Sequence, residues 1–68
     1  MNYKEIDREK VKNYIASKGG ECTVKDIMNE SGAEQLRVYA LLFEEKLAGH
    51  IEYVKASALG APEVVKLV

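Results

Sequence analysis

The residue types that most often carry chemistry are few in this chain and widely spaced. One cysteine, Cys22, and one histidine, His50, occur in 68 residues, too few for a Cys/His zinc site within one chain. A reactive thiol needs an electropositive neighbourhood, and the sequence supplies none around Cys22, which reads as a small hydrophobe on a strand. His50 opens a strand-like stretch and reads as a surface or boundary residue. Glu44 and Glu45 are adjacent on a helix and point in different directions, so they do not form an acid–base dyad. Tyr3, Tyr14, Tyr39 and Tyr53 are spaced as core or core-edge residues, not as a stacking platform for single-stranded nucleic acid. Gly19-Gly20 and Gly60 lack a phosphate-loop context and read as a helix stop and a turn. The expectation is therefore a binding module with no catalytic residues, metal, cofactor or small-molecule substrate.

Composition agrees with that expectation. At 7.6 kDa, 47% hydrophobic and 31% charged, the chain is ordinary globular protein and forms one domain over residues 1–68. A net charge of −1 excludes nucleic-acid binding by bulk basicity, though not by a local patch. No apolar run approaches the ~20 residues of a membrane span. The opening Met1-Asn2-Tyr3-Lys4-Glu5 is charged with no apolar stretch behind it, unlike a signal peptide. A single cysteine fits a reducing cytoplasm, which is the expected location.

The elements that would position any site follow from periodicity. A first helix is expected over Arg8 to Ser17, capped by Asp7, with Val11, Tyr14 and Ile15 on its inner stripe. Lys18-Gly19-Gly20 stops it, since glycine accepts the left-handed conformation at helix ends. Glu21-Cys22-Thr23 is extended. Thr23 caps a second helix, with Asp26 placed as in a capping box, and Ser31-Gly32 ends it. The third helix, Ala33 to Leu47, is the longest. Leu36, Tyr39, Ala40, Phe43 and Leu47 recur at steps of three and four, and Val38 and Leu42 widen that face. His50 to Val54 and Glu63 to Val68 read as strands around a small-residue loop, in which Ala56 to Leu59 is either loop or a helical turn. The expected core is Val11, Tyr14, Ile15, Ile27, Leu36, Tyr39, Phe43, Leu47, Ile51 and Val65. On that basis Phe43→Ala would cost roughly 3–5 kcal/mol.

This order resembles a winged helix-turn-helix: an α+β fold of three helices with a small antiparallel sheet of two or three strands that includes the wing hairpin. Thr23 to Gly32 looks like the first helix and turn of the motif, and Val38, Leu42, Gly49 and Ile51 continue the pattern, with Gly49-His50-Ile51 leading into the wing. The resemblance implies a third helix in the major groove and a wing on phosphate or minor groove. Double-stranded DNA would then be the partner of a transcriptional-regulator-type domain, contacted by Arg37, Lys55 and Lys25.

Charge runs against that implication. With Leu36, Tyr39, Phe43 and Leu47 inward, the outer face of the third helix carries one arginine, Arg37, beside Glu34, Glu44 and Glu45. Residues 1–20 balance at +2, residues 21–49 at −3 and residues 50–68 at zero. The segment that should meet DNA is the most acidic, while Arg8, Lys10, Lys12 and Lys18 sit on the first helix. The same projection places Leu41 on the solvent face, either as an isolated surface residue, through a rotated helix, or as part of an apolar strip. The alternative function is thus a protein-interaction domain, homodimerising in one form, with Leu41, Val38, Glu44 and Glu45 as its contacts.

Overall fold

The computed structural model describes residues 2–68. Three helices, α1 (Tyr3–Ser17), α2 (Val24–Glu30) and α3 (Gln35–Leu47), pack against a sheet of β1 (Glu21–Thr23), β2 (Ile51–Ala56) and β3 (Pro62–Leu67). The strand order is β1-β3-β2, and both pairings are antiparallel. This is the expected α+β architecture, with three strands.

Local signals account for most boundaries. Thr23 Oγ1 accepts from the Asp26 amide at 3.1 Å and starts α2 as expected. Gly19 and Gly49 stand at φ +80° and +81° just past α1 and α3, where a side chain would be strained. The first helix differs from expectation: it begins at Tyr3, because Asn2 Oδ1 accepts from the Glu5 amide and caps it. Asp7 lies inside the helix and is buried, its carboxylate taken by Arg37. The inner stripe of α1 is therefore Asp7, Val11 and Ile15, at four-residue steps. The β2–β3 connection is a tight turn, not a helix: the Gly60 amide donates to the Ser57 carbonyl at 2.9 Å.

The core comprises Val11, Ile15, Val24, Ile27, Ala33, Val38, Leu41, Leu42, Ile51 and Val65. Five of the expected positions, Val11, Ile15, Ile27, Ile51 and Val65, are in it, and Tyr14 packs at its edge. The four from the third helix are not. Leu36, Tyr39, Phe43 and Leu47 are exposed, and α3 presents Val38, Leu41, Leu42 and Glu45 inward instead. Both stripes have helical spacing. The one chosen sets Arg37 against Asp7 and Glu44 and Glu45 against Arg8, so the register that buries compact aliphatic side chains also pairs the charges beside them.

Candidate functional site

The rotation of α3 creates the most distinctive surface of the molecule. Leu36, Tyr39, Phe43 and Leu47 are 89%, 47%, 51% and 71% exposed. They line one side of a single helix, with exposed Ala40 between them. Isolated exposed leucines are common; a contiguous stripe holding two aromatic rings is less so. Beside it, Tyr39 helps line an open cleft of about 370 Å³ between α2, the start of α3 and the start of β3, with Val24, Lys25, Met28 and Pro62 in its walls. The turn between β2 and β3 ends in Leu59, 97% exposed. The third helix and the β2–β3 turn, the two places that the resemblance assigns to DNA, thus carry apolar side chains.

The opposite flank of α3 is ionic. Glu45 is 3% exposed. Its carboxylate accepts from Arg8 Nη1 at 2.8 Å, and Lys12 Nζ lies 3.8 Å away. His50 Nδ1 lies 2.5 Å from Glu45 Oε2. Burial alone would raise the Glu45 pKa; Arg8 and His50 outweigh it and hold the carboxyl below its ordinary value. Glu44 bonds Lys4 at 2.7 Å and Arg8 at 2.9 Å, which lowers its pKa too. The Arg8 guanidinium, gripped by both glutamates, is pushed up. Arg37 Nη1 donates to Asp7 Oδ2 at 2.8 Å, and that bond holds Asp7 down. The basic first helix and the acidic third helix are thus two sides of one contact. Arg8, Asp7 and Glu45 are largely enclosed in that contact, while Lys4, Arg37 and Glu44 pair there and keep exposed surface.

The residues expected to form a site separate accordingly. Of the DNA contacts, Arg37 is bonded to Asp7, Lys55 lies 3.6 Å from Glu63, and Lys25 is exposed at the cleft. The expected protein interface is corrected. Leu41 and Val38 are core residues and Glu45 is buried in the ion cluster, so none of the three can serve as a surface contact. Glu44 is bonded to Lys4 and Arg8 and still keeps 38% of its side chain exposed, so of the four it alone has surface to offer. An apolar strip on α3 does exist, formed by Leu36, Tyr39, Phe43 and Leu47, the residues expected to face the core. The one signal in the sequence is the Glu44-Glu45 pair set against a first helix carrying Arg8 and Lys12 one turn apart, and it does not single out the partner, since Arg8 also pairs with Glu5.

The remaining candidates resolve simply. Cys22 packs against the core edge, and burial pushes its thiol up, away from reactivity. Tyr14 Oη is buried without a hydrogen-bond partner. Among the described residues, no three His, Cys, Asp or Glu side chains converge as a metal site requires, and no helix is long and apolar enough to cross a membrane.

No family model matches this chain, and neither curated proteins nor solved structures provide a match. The topology, three helices with a three-stranded antiparallel sheet, is compatible with a winged helix. Function has to be argued from the surface itself.

Proposed function

We propose that this chain is a winged-helix module that binds protein through the outward face of its third helix and does not read DNA. One observation carries the reading. The helix that would enter the major groove offers Leu36, Tyr39, Phe43 and Leu47 to solvent, where base recognition calls for hydrogen-bond donors and acceptors. Arg37, the one arginine of α3, is bonded to Asp7. The wing tip repeats the pattern, with Leu59 outermost and Lys55 beside Glu63. Large apolar and aromatic side chains at helical spacing are what helix-in-groove and helix-on-helix recognition use.

DNA-associated transcriptional regulation is the second reading, favoured by the topology, by the exposed Lys25 at the cleft and by the exposed Lys55 on β2. Titration of labelled protein with short random-sequence duplex DNA at low salt separates the two. The protein-binding reading expects the α3 and wing amides to stay in place. Shifts at Lys25, Arg37 and Lys55 that collapse with added salt would overturn it in favour of DNA.

A further inference from the structure

We infer that the partner of the α3 face is a second copy of this chain, its α3 packed antiparallel about a two-fold axis; this rests on the protein-binding reading above. Leu36, Ala40, Phe43 and Leu47 are spaced four, three and four apart, the alternation of a coiled-coil seam. Each is exposed, so the seam is continuous for the length of the helix.

The seam is self-complementary only in one direction. Antiparallel pairing sets Leu36 against Leu47 of the second copy at each end. In the middle it sets small Ala40 against large Phe43, twice by symmetry. Parallel pairing would stack Phe43 on Phe43 and leave a gap where Ala40 faces Ala40. The flanks agree. In the antiparallel register Arg37 faces Glu44 of the second copy, and Tyr39 faces Lys46. These are opposite charges and a cation over a ring, the pairings that set orientation at such seams. Arg37 and Glu44 keep exposed side-chain surface beyond their partners within the chain, 44% and 38%, so each has an edge free to face across.

Area supports a second copy as occupant. With about 150–250 Å² for a whole aromatic side chain and roughly 100 Å² for a leucine, the exposed fractions correspond to about 350 Å² of apolar surface per chain. A standard interface buries about 800 Å² per partner, a little over half of it apolar. The stripe with its polar rim comes close to that, so one helix face is enough for a modest dimer and too small for a permanently interlocked one.

Sedimentation equilibrium on the full chain, from roughly 10 μM to 1 mM, resolves a dissociation constant anywhere near 100 μM. The expected result is a mass rising from 7.6 kDa toward twice that value. Isotope-filtered NOEs in a half-labelled mixture should connect the Ala40 methyl to the Phe43 ring and Leu36 to Leu47. Phe43→Ala, which removes the ring from both sides of the axis, should weaken the dimer by roughly 30-fold or more. A mass that stays at 7.6 kDa throughout would overturn the second copy, as would intermolecular NOEs from any other surface. With α3 also unmoved by DNA, a monomeric result removes the homodimer alone. DNA-induced, salt-sensitive shifts on α3 remove the protein-binding reading as well.

Discussion

The two faces of α3 are both apolar and have opposite fates. Inward, Val38, Leu41 and Leu42 are essentially inaccessible and Glu45 closes the stripe in an ion cluster. Outward, Leu36, Tyr39, Phe43 and Leu47 hold the larger side chains and are left in water. Burial of the aromatic stripe would have removed more apolar area. It lost because a helix can present only one face to α1, and the face chosen brings the charges of both helices into register. In a small domain a few charge-assisted bonds can decide between two hydrophobic stripes. The stripe left over is then available for a partner.

This contrast can be broken most severely from the inside. Leu41→Ala or Leu42→Ala should cost about 2–5 kcal/mol and unfold much of the population, read as loss of a cooperative thermal melt. Retention of the wild-type melting temperature would show that these residues are not the inner face.

Next in size is the ionic flank. Arg8→Ala leaves Glu45 buried with only Lys12 and His50 nearby. The cost should be about 1–3 kcal/mol, between that of an exposed pair and of a fully buried one, measured by urea unfolding. A variant as stable as the parent would mean that the cluster does not set the helix register.

Acid tests the same flank without mutation. Asp7, Glu44 and Glu45 all titrate below their ordinary values of 3.8, 4.5 and 4.5 in the folded chain. On acidification the unfolded chain takes up these protons first. The stabilisation is therefore complete above about pH 5 and is lost as pH falls through the folded values. Melting temperature should be level from pH 7 to about 5 and drop steadily below about 4.5; a rise on acidification would contradict the ion pairing.

The smallest effects are expected outside the core. At concentrations where the chain is monomeric, Phe43→Ala should change stability by less than about 1 kcal/mol, as for other surface positions. Tyr14→Phe removes a buried hydroxyl that has no partner and should leave the melting temperature unchanged or higher. A large loss from either would place that side chain in the stabilising core.

Much of the fold was legible because short signals are strong where glycine and a capping side chain occur together. Thr23, Gly19 and Gly49 each mark a boundary that the structure keeps. The start of α1 was missed because Asn2 and Asp7 are both competent caps, and only tertiary contact with Arg37 assigns Asp7 a different task. The face of α3 was missed because the helix carries apolar residues on two opposite faces, so periodicity supports two answers. The rotated helix was among the explanations for Leu41, but the deciding contacts lie more than 30 residues apart in sequence, from Arg8 to Glu44 and Glu45. The candidate site inherited that error: the apolar strip that was one reading of Leu41 would have held Leu41 and Val38, which are core residues.

The most direct test of the two-faced helix is a dilution series followed by amide and methyl chemical shifts along α3. Shifts that move with protein concentration at Leu36, Tyr39, Ala40, Phe43 and Leu47, while Val38, Leu41 and Leu42 stay fixed, are the expected result. Concentration dependence centred on Val38, Leu41 and Leu42 would contradict the two-faced helix, and none anywhere on α3 up to about 1 mM would contradict a second copy as the partner of its outer face.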